Sequence, residues 1–220
     1  MPHPSLTIIR SEHRALSALL RTVTLLLSQH RRIGTLPDFR VLRAMLFYVD
    51  EFPEKLHHPK ETQLLFPKLR GRDAHTDAVL DQLDRDHMRG EQAIRELEHM
   101  LLGFEMMSES NQRDARNASF EVAMNRYVEA YLEHMHIEET EVLPLAEAVL
   151  SPDEWRELDA GFVLNSDPAT GHEASLAYRD LFKTISQLLS PTASVRSVLQ
   201  ALGGSTPPRG VEELRNEALP

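Results

Sequence analysis

The sequence predicts an all-α protein, an up-down-up-down four-helix bundle with additional C-terminal helices. Three observations predict it. Leu, Ala, Glu, Arg and Met are abundant while Val and Ile are few, a composition that favours helix over sheet. Four successive stretches carry apolar residues in alternating steps of three and four, the period of one helix face. The chain also repeats itself at an offset of 77 residues, as two copies of one helical hairpin would. With 220 residues, 41% of them apolar, it can bury one sizeable core. Residues 1–150 are expected to form the bundle domain, 151–190 a C-terminal helical extension, and 191–220 a disordered tail.

Segment one runs from about Ser5 to His30. Ser5 can cap it, Arg31 and Arg32 suit the negative end of the helix dipole, and Gly34 suits the position after the last turn. Its stripe reads Ile9, Leu16, Leu20, Val23 and Leu27, and the missing step between Ile9 and Leu16 is His13. That histidine therefore belongs to the inner face. Segment two, about Asp38 to Phe66, leads through Leu42, Met45, Val49 and Phe52 to His57 and Glu61. Pro53 and Pro59 lie inside it, which predicts a kinked helix or two pieces end to end, with Pro67 near the stop.

Segment three runs from about Thr76 to Met106 on Leu80, Leu83, Ile94, Leu97, Leu101 and Phe104, with His87 filling the gap in the stripe and Glu91 one turn on. Segment four, about Asn111 to Leu143, passes through Phe120, Met124, Tyr127 and Tyr131 to His134 and Glu138, and Pro144 closes or kinks it. Ser151-Pro152-Asp153-Glu154 then reads as an N-cap, a proline at the first helical position and a glutamate at the third, opening a short helix anchored by Trp155. A turn-rich loop at 165–171 and a helix at about 173–189 precede the tail.

The net charge of −10 and the lack of a basic stripe argue against nucleic acid and against an anionic membrane surface. No run of apolar residues is long enough to span a bilayer, and the first residues lack the pattern of a secretory signal, so a cytoplasmic location is expected. The absence of cysteine removes disulfides, thiolate nucleophiles and iron–sulfur ligation. Against this background eleven histidines stand out.

A histidine and a glutamate four residues apart share one helix face, and taken alone they make either a metal half-site or a hydrogen-bonded surface pair. The repeat decides between these. Placing His57 on His134 puts Glu61 on Glu138, Leu65 on Val142, Phe66 on Leu143 and Pro67 on Pro144, all at one offset. His13 falls on His87 with a three-residue slip, each preceded by an acid, Glu12 and Asp86. Each half thus offers two imidazoles and one carboxylate, a ligand set for non-haem iron; manganese and zinc suit the same donors. At ~1.5 Å per residue, His13 lies ~12 Å and His87 ~16 Å into their helices, and His57 and His134 ~15 Å before their prolines, so all four reach one layer.

The repeat breaks once, where His58 aligns with Met135. With a fifth imidazole, two bridging carboxylates and a bridging oxo or hydroxo group, one metal would have three nitrogens and three oxygens and be six-coordinate, and the other, with two nitrogens and three oxygens, would keep an open position. Because His58 is only ~100° around the helix from His57, either His58 or Glu91 is expected to supply that further ligand. His99, His136 and His172 fall off the pattern and read as surface residues. A ferritin-like register through Glu54-x-x-His57 and Glu133-x-x-His136 would turn one motif to solvent, because its offset of 79 disagrees with the flanking apolar-apolar-Pro marks.

These residues resemble the hemerythrin family, in its HHE cation-binding branch. The matching pieces are Glu12-His13, His57-His58-x-x-Glu61 with Leu65-Phe66-Pro67, Asp86-His87, and His134-x-x-x-Glu138-Glu139 with Leu143-Pro144, over roughly residues 5 to 146. The resemblance implies a four-helix bundle around two non-haem irons with an oxo or hydroxo bridge. His13, His57, His87 and His134 would then be terminal ligands, and Glu61 and Glu138 bridges. Oxygen-carrying members place a second histidine where this chain has Glu91, and iron–sulfur repair relatives carry a cysteine-containing extension that this chain lacks. Three roles follow as expectations. The site binds O2 or NO, it reduces peroxide or nitric oxide with Glu91 or a tyrosine in proton or electron transfer, or it buffers iron. A protein partner or a second copy would dock on the C-terminal helices.

Overall fold

We describe the protein from a computed structural model, which describes residues 3–163. The expected loop at 165–171, the helix at 173–189 and the tail at 191–220 lie outside the described residues. Within them the chain is all helical, with no strand. No helix among them is long and apolar enough to cross a membrane.

Helix α1 (Pro4–Ile33) starts one residue earlier than expected. Pro4 takes the first helical position, where its missing N–H costs nothing. That frees Ser5 to tie α1 to a later helix: its N–H and hydroxyl both donate to Asp159 Oδ1, at 2.9 and 2.6 Å. Gly34 ends the helix at φ 69°, the left-handed geometry a side chain would resist. The stripe from Ile9 through His13 to Leu27 is buried as its spacing requires.

The second arm departs from expectation. It is widened at its prolines, a form that expectation did not include. Helix α2 (Phe39–Val49), capped by Asp38, runs into a π-helical stretch (Asp50–His57), one α turn labelled α3 (His58–Lys60), a second π-helical stretch (Glu61–Leu65) and α4 (Phe66–Leu69). A proline has no N–H for the carbonyl four residues back, and its ring crowds that carbonyl. Here the bonding shifts by one residue. His58 N–H reaches Pro53 C=O and Phe66 N–H reaches Glu61 C=O, each five residues back.

Helix α5 (Ala74–Met106) opens on Asp73, whose carboxylate accepts from the N–H groups of His75 and Thr76 at 2.9 Å. Helix α6 (Arg113–Ile137) flows into a π-helical stretch (Glu138–Val142) and α7 (Leu143–Val149), so the arm continues through Pro144 rather than closing there. This π turn repeats the one at Glu61–Leu65 at the same offset of 77, with Leu143 N–H bonded to Glu138 C=O. Helix α8 (Pro152–Val163) opens on the expected capping box: Ser151 N–H donates to Glu154 Oε2 at 2.8 Å and Glu154 N–H to Ser151 Oγ at 3.3 Å.

The arms touch in a closed circuit, α1 on α2, α2 on α5, α5 on α6 and α6 on α1, while α8 lies along α1. Two apolar clusters fill the interior. One holds Leu16, Leu20, Leu42, Met45, Ile94, Leu97, Phe104 and Phe120 with their neighbours. The other holds Leu6, Ile9, Phe66, Leu80, Leu143, Trp155, Leu158 and Phe162 with theirs. His13, His57, His87 and His134 fall between the two along their helices, so a polar layer divides the core.

Candidate metal centre

In the polar layer five imidazoles and two carboxylates are all buried: His13, His57, His58, His87, His134, Glu61 and Glu138. Their donor atoms fall into two groups. One comprises His13, His57, Glu61 and Glu138, the other His58, Glu61, His87 and His134, and within each the atoms lie within 4.8 Å of one another. The imidazoles meet tip to tip. Nε2 of His13 is 3.1 Å from Nε2 of His57, and Nε2 of His87 is 3.0 Å from Nε2 of His134.

The carboxylates span the groups. Glu61 Oε1 lies 3.1 Å from His57 Nε2, and its Oε2 lies 3.5 Å from His87 Nε2. Glu138 Oε2 lies 3.2 Å from His13 Nε2, and its Oε1 3.3 Å from His134 Nε2. None of these four oxygens has a hydrogen bond of good geometry, although all are buried. Burying an ionised carboxylate is costly unless positive charge meets it. The donor set therefore fits a pair of transition-metal ions: imidazole nitrogens for their flanks and two carboxylates between them.

Four of the five far nitrogens are tied down, while that of His134 is buried without a hydrogen-bond partner. His57 Nδ1–H donates to Glu12 Oε2 at 2.6 Å, His13 Nδ1–H to Glu139 Oε1 at 3.0 Å, and His58 Nδ1–H to Glu54 Oε2 at 3.1 Å. His87 Nδ1–H donates to Thr62 Oγ1 at 2.9 Å, and that hydroxyl donates onward to Asp84 at 3.1 Å. Such partners fix the tautomer and the orientation of a metal-binding imidazole.

Electrostatics in the metal-free layer follow from this crowding. Burial pulls the His13 imidazole down, but Glu138 and Glu139 outweigh it and raise it to about 9. His57 stands well above its ordinary value, since Glu61 and Glu12 overcome burial. His134 is raised too, with Glu138 prevailing over burial. Burial and Glu138 push Glu61 upward, yet His57 and His87 bring it to about 2. Glu138 sits well below the carboxylate range, held there against burial by His134 and His13. His58 goes the other way: burial, together with the charge of His87 and His134, holds it well below. Protons on three imidazoles thus offset the carboxylates until a cation displaces them.

Expectation and structure can be compared residue by residue. His13, His57, His58, Glu61, His87, His134 and Glu138 are brought together. Glu91 is not, and that expectation is corrected: the residue is exposed and paired with Arg95 on the outer face of α5. The buried stripe of α5 steps from His87 to Gly90 and Ile94, which leaves position 91 outside it. His99 and His136 are exposed, as is Glu133, so the ferritin-like register has no inward pair on α6.

Glu54 was missed as a partner of the site. It is 6% exposed and accepts from His58, Tyr127 and Tyr131. Its spacing to His58 equals that of His57 to Glu61, and that spacing is the signal that could have found it. Glu12 and Glu139 were legible only as marks of the repeat and the motif.

Comparison with curated proteins gives no match. The family model described as Hemerythrin HHE cation binding domain matches residues 5–146. That span carries every residue of both donor groups, and the chain belongs to the hemerythrin HHE cation-binding family.

Proposed function

We propose that the two groups hold two non-haem irons in an up-down-up-down four-helix bundle, and that the protein binds O2 or another diatomic such as NO there, in gas or redox sensing, storage or stress response. The observation that carries this is the span of Glu61 and Glu138, each of which directs one oxygen toward each group. Glu61 and Glu138 would each serve both ions, and an oxo or hydroxo group would belong to the same centre. When bound, iron would supply a reducible centre with affinity for diatomic molecules; manganese and zinc also suit the donors, but zinc has no redox chemistry.

The groups are unequal. Three imidazoles, His58, His87 and His134, serve one metal, and two, His13 and His57, serve the other. The poorer side is the one with room for a ligand. Beside it Leu16, Phe52, Pro53 and Leu56 line a small pocket with His13 and His57. Glu12 completes its lining, so the pocket adjoins the side of His57 that Glu12 holds. This chain's residues would hold and orient the pair.

A second reading, reduction of peroxide or nitric oxide, draws support from the buried Tyr131 beside His58 and His134. Iron buffering draws on the donor groups alone. A cytoplasmic location remains part of the proposal, as does docking of a partner or second copy on the C-terminal helices.

Metal content of protein purified without air, followed by oxygen titration watched by visible absorption, tests the main reading. About two irons per chain and a reversible change are expected. Zinc in place of iron, or no spectral response to oxygen, would sink it.

A further inference from the structure

Beside the three-imidazole group lies a cluster that extends from Glu54, the acid that orients His58, to two phenols. Tyr127 and Tyr131 are both buried, and both donate their hydroxyls to one oxygen of Glu54, Oε1, Tyr127 from 2.9 Å. The other oxygen, Oε2, takes the His58 Nδ1–H. The two phenol rings lie 4.7 Å apart between centroids, and the Tyr131 ring lies 5.5 Å from that of His58 and 6.2 Å from that of His134.

Both tyrosines line an open cleft of about 520 Å³ between α5 and α6. Small residues, Gly90, Ala93, Ala123 and Ala130, make room for it. A path of adjoining rings therefore runs from two imidazoles through Tyr131 and Tyr127 to a cleft wide enough for one aromatic molecule.

The phenols satisfy the second oxygen of the acid that orients His58, a task phenylalanine could not perform. What phenylalanine also cannot do is give up an electron and a proton together. A phenol whose O–H points at a carboxylate can, because the proton shifts along the existing hydrogen bond and the ring is left uncharged. No bare charge then appears on the phenol in a low-dielectric interior.

We propose that Tyr131, backed by Tyr127, relays single electrons from a small phenolic donor in the α5–α6 cleft to hydrogen peroxide at the metal pair, with Glu54 receiving the phenol proton. The proposal rests on the two-iron reading. In each step the Tyr131 O–H bond breaks, its electron goes to the metal pair and its proton to Glu54 Oε1. The donor then restores Tyr131, through Tyr127, by giving back one hydrogen atom. Glu54 gives up that proton to solvent in the open cleft before the second step; over two steps the peroxide receives two electrons from the metal pair and two protons from solvent, its O–O bond breaks, and two waters form. One peroxide and two phenols become two waters and two phenoxyl radicals.

The test uses the full chain, loaded with iron, its iron content measured, mixed with hydrogen peroxide and frozen for electron paramagnetic resonance. Wild type is expected to show an organic radical with tyrosine ring-proton splitting that guaiacol quenches. Tyr131→Phe is expected to keep its iron and lose that radical. Glu54→Gln, which keeps both phenols, is expected to form it about a hundredfold more slowly, the loss of a positioned proton acceptor. Iron-loaded wild type that consumes peroxide without an organic radical would overturn the relay and leave the metal pair standing. So would an undiminished tyrosine signal in Tyr131→Phe, or unaltered kinetics in Glu54→Gln. A chain that takes up no iron overturns both.

Discussion

Gly90 is a residue on which two effects oppose each other. Alanine in the middle of a helix is favoured over glycine by about 1 kcal/mol. Yet a Cβ at position 90 would stand 2.9 Å from Glu54 Oε1 and 3.1 Å from the Tyr131 hydroxyl. Glu54 cannot simply swing aside, because two phenols and an imidazole hold it. Crowding of this kind costs about 1–3 kcal/mol, so Gly90→Ala is expected to lower the urea midpoint despite its better helix propensity. A stabilised variant would show that the Glu54 cluster is loose. At the metal layer itself, His134→Ala is expected to lose metal while His99→Ala keeps it, since His99 is exposed and far from the layer along α5. Metal-to-protein ratios after gel filtration decide this, and equal retention would refute the ligand assignment.

Elements explain why consecutive histidines can both face inward. In a regular helix His57 and His58 diverge by ~100°, and one of them would be expected at the edge of the stripe. Both are buried, because the turn ahead of them is π-helical and the turn after Lys60 is too. Widened turns of this sort recur at functional sites. Prolines accompany them: each of Pro67 and Pro144 follows a π turn that begins at Glu61 or Glu138, the two carboxylates that span the donor groups. Replacing both prolines by alanine restores two donors and lets the turns relax toward α geometry. Helix content by circular dichroism is expected to hold while metal affinity falls on the order of tenfold, as when a ligand's support is removed. Undiminished affinity would mean that packing, not proline, sets the turn.

For the whole molecule, the metal-free layer is an electrostatic problem that pH can expose. His13 binds its proton more tightly when folded, raised from 6.5 to about 9. Its contribution to stability is complete below 6.5 and is lost as pH rises through about 9. Glu61 releases its proton more readily when folded, brought from 4.5 to about 2. Its contribution is complete above 4.5 and is lost as pH falls through about 2. Metal-free protein is therefore expected to resist urea best between 4.5 and 6.5. Iron affinity should run the other way and rise with pH, since the metal displaces those protons. Greater resistance of the metal-free chain at alkaline pH than within this window would refute the protonation scheme.

By itself the sequence determined the helices, the inward stripes and the histidine layer. These follow from local rules: apolar period, caps such as Asp38, Asp73 and Ser151, and a repeat whose offset survives through Pro67 and Pro144. Whether His58 or Glu91 completes the layer was not local. It depended on the extra residue per turn that accompanies the prolines of the second arm, and on Gly90 taking the inner place on α5. The partnership of Glu54 with Tyr127 and Tyr131 spans more than seventy residues of chain. No spacing rule reports a contact made between two arms. Only their packing placed a buried acid between two phenols and a histidine, beside a site whose other parts were already written along the helices.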